Sequence, residues 1–355
     1  MSKTFDELME EAYELPDGLA KITTLEEAAR AADLANEVID GYEARSMIVE
    51  SATFNGYPMK AMIAFSWMLG QYDRNKELFD SHDLLWGYKW ILDKVSCFPE
   101  IPLGQIEQLL QDMRNRYKEH GHSERTYYFY RAVNLFHQGR ITEAEQEVAQ
   151  FQQMERDYMS DCPACEQNRL VEFAAAAHLD EETLAYAKPI LSGRMACAEV
   201  PHVTISKVLM PLYRLGQLDK ANKEHKRGYQ LIKHNIDFLL HQGEHIYYLA
   251  HTDPFKGLEL LERHYPQMLS HENPYDKMIF LACSSALLRR LSQESIPVQV
   301  RLPESSPHLS TEDAPGNEGN AARLAERFLE DALASADRFD QRNGNTYYRN
   351  YITAL

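Results

Sequence analysis

Apolar residues recur at helical spacing along most of the chain. Between residues 59 and 76, Met62, Phe65, Met68, Leu69 and Tyr72 follow one another at intervals typical of one face of a helix. Similar spacing, bounded by turn residues, predicts further helices at 24–40, 42–54, 102–120 and 276–291. The sequence therefore predicts an all-α fold.

From about residue 125 the predicted helices come in pairs. The breaks between the two partners fall at Gly139, at 178–180, at Gly216 and at 252–254, with successive gaps of 39, 38 and 37 residues. A nearly fixed period of this length is typical of a helical solenoid, in which each pair buries its apolar face against its neighbours. We expect an α-solenoid of about seven helix pairs.

The pattern divides the chain into four segments. Residues 1–40 are predicted to be N-terminal capping helices, and residues 41–291 the solenoid itself. Residues 292–319 are rich in Pro, Ser, Glu and Gly, which predicts a mobile insert. Residues 320–355 then supply the helix that completes the last pair, followed by a tail.

Small residues at fixed places in the repeat carry a family resemblance. Ala132 and Ala144 occupy the eighth and twentieth positions of one copy, while Leu209 and Ala221 occupy them in another. The repeat resembles the tetratricopeptide repeat, which implies a right-handed solenoid whose first helices line a peptide-binding face. The whole chain also resembles a group of cytosolic bacterial tetratricopeptide proteins, through the stretches 161–166, 197–202, 215–219 and 338–344.

Charge and composition narrow the possible functions. A formal net charge of −17 opposes nucleic-acid binding, because phosphate contacts need clustered Lys and Arg. The first residues lack the features of a signal peptide, and no window reaches the roughly 18 uncharged apolar residues that a membrane span requires. These features predict a cytoplasmic protein that binds neither nucleic acid nor membrane.

Three cysteines and a histidine at equivalent positions of two successive repeats suggest a metal site. Cys162 and Cys165 precede the first helix of one predicted pair, and Cys197 and His202 precede the first helix of the next. Equivalent points of adjacent repeats lie about one helix-packing distance, roughly 8–10 Å, apart. We therefore expect three sulfurs and one imidazole to meet in a tetrahedral zinc site that clips two repeats together.

Other interpretations of these motifs remain open. The three cysteines can be free or packed thiols, and Cys162 and Cys165 can form a redox dithiol, although a βαβ context is missing. A zinc hydrolase is the competing function, because His241, Glu244 and His245 match the H-x-x-E-H pattern of some metallopeptidases. No third zinc ligand for that site is evident from the sequence.

The preferred function is a non-catalytic scaffold that binds a peptide or protein partner, with regulation as a possible role. Aromatic and apolar residues at inward positions of two first helices are the expected partner contacts. They are Phe129, Val133 and Phe136 in one repeat, and Met210 and Tyr213 in another. Tyr130, from the aromatic run 127–130, is a further candidate contact. The acidic surface favours a basic or neutral partner.

Overall fold

The computed structural model describes residues 3–293, 298–309 and 318–355. Within these ranges the regular secondary structure is helical, as the sequence predicts, apart from two three-residue strands. None of the described helices combines the length and the apolar character that a membrane span needs. The α-helices are α1 Phe5–Glu14, α2 Leu19–Ala35, α3 Val38–Thr53, α4 Pro58–Arg74, α5 Ser81–Lys94, α6 Leu103–Glu119, α7 Arg125–His137, α8 Ile141–Gln152, α9 Pro163–Ala176, α10 Asp180–Leu191, α11 His202–Arg214, α12 Leu218–Ile232, α13 Leu239–Thr252, α14 Pro254–Ser270, α15 Pro274–Leu291, α16 Ala321–Asn343 and α17 Tyr347–Ala354.

The chain divides into two compact units, Met1–Ser160 and Asp161–Leu355. In unit 1, consecutive helices pack together, as in α2 with α3 and α7 with α8, and α5 contacts both α3 and α7. In unit 2, α9, α11, α13 and α15 form a row in which each helix packs on the next member. The sequence did not predict a boundary at residue 160, because the helical period continues across it.

Three of the turns within helix pairs share one backbone geometry. Gly139, His178 and Gly216 have φ values of 72°, 56° and 71°, in the left-handed region. The amide of the following residue bonds back to a carbonyl five residues earlier, for example Gln217 to Leu212 at 2.8 Å. This arrangement satisfies carbonyls at the end of the first helix and starts the second helix immediately. The repeated turns explain the period seen in the sequence.

A continuous apolar core fills unit 2. The small or apolar repeat positions Leu209 and Ala221 are both fully buried there. A helix of this kind on its own would expose its apolar stripe to water. Burial of that stripe against neighbouring helices therefore provides most of the stability. Gly228 of α12 shows how closely the helices approach, because a Cβ added there would lie 2.4 Å from Ile205 Cγ2.

Part of the predicted insert packs against the core of unit 2. Strands β1 Gln299–Arg301 and β2 Glu318–Asn320 pair antiparallel. Val300 and Leu302 are buried in the core of unit 2, since alternate residues of the first strand point inward. Residues 294–297 and 310–317 of the predicted insert lie outside the described residues.

The C-terminal segment is more helical than the sequence predicted. Helix α16 continues to Asn343, and Gly344 then takes φ 71°. The Asp340 carboxylate accepts hydrogen bonds from the backbone amides of Tyr348 and Arg349, both at 2.9 Å, near the start of α17. Helix α17 therefore takes the place of the predicted tail.

Candidate metal centre

Three cysteine thiols lie close together in unit 2. The ligand atoms of Cys162, Cys165 and Cys197 are all within 4.8 Å of one another, and these three form the one such group of potential metal ligands within the described ranges. The Sγ atoms of Cys162 and Cys165 are 3.1 Å apart. Three sulfurs converging on one point can bind a metal ion.

Local structure explains why the two nearer cysteines meet. Cys162 is the N-cap of α9, and Pro163 occupies the first turn, where the absence of an amide hydrogen costs little. Cys165 therefore lies one turn into the helix, and its backbone amide donates to Cys162 Sγ at 3.3 Å. The thiol takes the place of the usual capping oxygen, so the Cys-x-x-Cys spacing follows from the helix itself.

The third cysteine comes from the connection between α10 and α11. Cys197 is exposed, and its backbone amide donates to the Val200 carbonyl at 3.0 Å, which closes a tight turn. Ala164 and Val200 pack with Ile190 in a small apolar cluster, and Cys162 and Cys165 pack against its edge. This cluster brings the 197–200 turn to the beginning of α9.

The three thiols influence one another's protonation. Burial alone would raise the pKa of Cys162, but hydrogen bonds from Cys165 and Cys197 lower it below the usual value. Burial raises the pKa of Cys165, and so does the negative charge of Cys162. Burial also raises the pKa of Cys197. A bound cation would have to displace the protons of these thiols.

The structure does not bring His202 into this group, which corrects the predicted fourth ligand. The imidazole of His202, at the start of α11, instead stacks on the ring of Phe238, with centroids 5.8 Å apart and planes 15° apart. Burial lowers the pKa of His202, so the ring is neutral near pH 7. A period of one repeat predicted where the three thiols meet but did not fix the orientation of this ring.

The H-x-x-E-H residues do not converge as a zinc site would require. His245 is fully buried, and its Nδ1 lies 2.8 Å from Nδ1 of His225 on α12. The Glu244 carboxylate pairs with Lys207 Nζ at 2.6 Å and accepts from Ser206 Oγ at 2.6 Å. The carboxylate also lies 3.3 Å from His241 Nδ1, whereas His245 contacts His225, so the two histidines and the carboxylate do not surround a common point.

The predicted partner contacts in α7 are mostly core residues. Phe129, Tyr130 and Val133 are only 4%, 6% and 1% exposed, and the Phe129 ring packs edge-on against Phe151. These three side chains cannot contact a partner without repacking unit 1, which corrects their assignment. Phe136 is half-buried.

The two predicted contacts in α11 are more accessible. Met210 and Tyr213 are half-buried on the edge of the unit 2 core. The Tyr213 ring lies 5.3 Å from the ring of His251 on α13, so these adjacent helices present a shared surface. The partner-binding prediction remains open for Met210, Tyr213 and Phe136.

No protein-family model matches this chain, and no match was found among characterised proteins. The functional interpretation therefore depends on the chemistry of its residues.

Proposed function

We propose that this chain is a non-catalytic helical-repeat scaffold of the cytoplasm in which zinc, bound by Cys162, Cys165 and Cys197, fastens one repeat to the next. The convergence of three sulfurs from two segments of the chain carries the proposal. A Cys-rich donor set suits zinc, and thiolates at the beginning of a helix gain from its dipole. The expected effect is structural, because the ion would join the start of α9 to the turn before α11.

The proposed architecture is a right-handed solenoid of about seven tetratricopeptide-like pairs. The row formed by α9, α11, α13 and α15 supports it, since first helices of successive pairs pack side by side in such a solenoid. The proposed partner is a peptide or protein that contacts Met210 and Tyr213. An excess of acidic residues over basic ones, 54 against 37, favours a basic or neutral partner.

Metal analysis of the purified chain tests the zinc site. We expect about one zinc per chain in the wild type. The Cys162→Ser/Cys165→Ser double variant should lose the metal, whereas a Cys283→Ser variant, which changes a buried thiol outside the group, should keep it. Retention of zinc by the double variant would refute the assignment.

The His202→Ala variant distinguishes two versions of the site. Retention of zinc with little change in affinity indicates three protein sulfurs and a fourth donor from solvent. A loss of affinity of about tenfold or more indicates that His202 turns from Phe238 to the metal when the ion binds.

Partner binding requires a separate measurement. Proteins that co-purify with the wild-type chain from its native host should be lost with Tyr213→Ala and retained with Tyr186→Ala, a change at an exposed tyrosine of α10. Equal recovery with both variants would remove Tyr213 from the proposed partner surface.

A further inference from the structure

The thiols that solvent can reach all belong to the candidate metal centre. Cys162 and Cys165 are half-buried and Cys197 is exposed, whereas Cys97 and Cys283 are only 4% and 1% exposed. Buried structural thiols are chemically inert, and oxidation selects the accessible ones. A small oxidant that meets the folded chain therefore reacts with the three cysteines of the metal centre.

Two of these three sulfurs already lie close to bonding distance. The Sγ atoms of Cys162 and Cys165 are 3.1 Å apart, and a disulfide bond of about 2.05 Å requires them to approach by about 1 Å. Both residues belong to the first turn of α9, where Cys162 is the N-cap and Pro163 fixes the backbone that follows. Rotation of the two side chains can therefore form the bond while α9 keeps its position.

The third sulfur comes from a separate segment of the chain. Cys197 lies in the turn between α10 and α11, where its backbone amide donates to the Val200 carbonyl at 3.0 Å. A bond from Cys197 to α9 would join two segments, whereas a bond between Cys162 and Cys165 stays within one helical turn. The pair on α9 is therefore the one that we expect to be oxidised to a disulfide.

Such a disulfide is incompatible with metal binding at this centre. Zinc binds the thiolate form of cysteine, and a sulfur in a disulfide no longer carries that negative charge. Oxidation of the pair would remove two of the three sulfur donors and leave only Cys197. The start of α9 would then lose its metal-mediated link to the 197–200 turn.

We propose that the metal centre is also an oxidation site, at which a two-electron oxidant such as hydrogen peroxide joins Cys162 to Cys165 in a reversible disulfide. The disulfide releases the zinc ion and unfastens α9 from the 197–200 turn. Formation of the bond depends only on the geometry of the pair, whereas its effect on the metal rests on the proposed function. The inference adds a regulatory input to the scaffold, because the oxidation state of the pair determines whether the two repeats are fastened.

The reaction balances with hydrogen peroxide as the oxidant. One thiol sulfur of the pair attacks a peroxide oxygen, the O–O bond breaks, and the departing hydroxide takes up the thiol proton to give water. The second sulfur attacks the resulting sulfenic acid, which forms the S–S bond, breaks the S–O bond and releases a second water with the second thiol proton. Two electrons pass from sulfur to oxygen. In the zinc-bound form both protons come from solvent as the metal leaves.

Peptide mapping of the full chain after treatment with hydrogen peroxide tests the disulfide. Tryptic cleavage after Lys and Arg places Cys162 and Cys165 together in the peptide 157–169 and Cys197 in the peptide 195–207. We expect the first peptide to become two hydrogen atoms lighter and the second to keep a thiol that can be alkylated. A small dithiol reductant should restore the first peptide to its original mass.

Zinc release from the same samples connects the disulfide to the metal. A colorimetric chelator should detect about one zinc ion released for each disulfide formed. After reduction and removal of the chelator, added zinc should bind again to the wild-type level. Release and rebinding that follow the disulfide would support the proposed link between oxidation and the metal.

Amide exchange separates oxidation of the pair from oxidation of methionine. Peroxide should speed exchange over residues 160–205 in the wild type and in Cys283→Ser, because both keep the pair on α9. It should leave exchange unchanged in Cys162→Ser/Cys165→Ser, which lacks the pair but keeps every methionine. An equal effect of peroxide on the double variant would contradict the proposal.

Three further outcomes would overturn it. These are a wild-type chain whose three accessible thiols stay free in peroxide, a disulfide that includes Cys197, and a Cys162–Cys165 disulfide that forms while zinc stays bound. A reduced chain that contains no zinc would instead refute the proposed function. Peptide mapping of that chain would still decide whether the pair is oxidised, so the two failures are seen separately.

Discussion

A buried histidine pair predicts that unit 2 loses stability in mild acid. His225 Nδ1 and His245 Nδ1 lie 2.8 Å apart between α12 and α13, so one nitrogen must donate a proton and the other must accept it. Protonation of either ring would place two donors face to face and a charge in the core. Burial, followed by the charges of Lys256 and Lys226, lowers the pKa of His225 to about 4.

The lowered pKa of His225 sets how much unfolding free energy is lost in acid. A histidine in the unfolded chain titrates near 6.5. Because the folded pKa of His225 is lower, the unfolded state takes up protons first, and stability falls as the pH drops from about 6.5 towards about 4. At about pH 5 the loss from His225 alone is about 2 kcal/mol relative to pH 8, at 1.36 kcal/mol per pKa unit.

Urea unfolding at about pH 8 and about pH 5 measures this effect. His225→Gln retains a polar group that can bond to His245 but cannot titrate, and His234→Gln is the exposed control. The free energy that the wild type loses between the two pH values should shrink by about 2 kcal/mol in His225→Gln and stay unchanged in the control. An equal loss in the wild type and in His225→Gln would refute the reasoning.

Further predictions concern packing, the insert and the metal. Gly228→Ala should lower the free energy of unfolding by about 1–2 kcal/mol in urea titrations, because the new methyl group would overlap Ile205. Gly70→Ala, in open space within α4, should instead raise it by about 0.5–1 kcal/mol. Tyr265→Phe removes the hydroxyl that bonds Ser306 and should speed amide exchange across residues 298–309. Chelation of zinc should speed exchange over residues 160–205, and unchanged exchange there would contradict the structural role.

The helical period could be predicted from the sequence because it is set by the residues at each turn between helices. Gly139 and Gly216 occupy left-handed positions that glycine adopts without strain, and they mark two turns directly. His178 has the same conformation without being a glycine, so its turn was identified by its place in the period. The convergence of the cysteines was likewise predictable, because capping geometry fixes Cys162 and Cys165, and one period brings Cys197 near them.

Side-chain orientation and long-range pairing were less predictable. His202 had the right spacing for a ligand, but stacking on Phe238 determines where its ring lies. Phe129 was assigned to a partner surface, whereas contact with Phe151 buries it. The ion pair between Lys207 and Glu244 was missed, because both residues look like ordinary solvated charges until α11 and α13 are packed side by side. Their common spacing of about one repeat was the signal that could have revealed them.

The most direct test of the metal-clipped scaffold is X-ray absorption at the zinc edge, combined with elemental analysis of the anaerobically purified full chain. We expect about one zinc per chain, with about three sulfur neighbours near 2.3 Å. A metal-free protein in which Cys162, Cys165 and Cys197 all react as free thiols would contradict it.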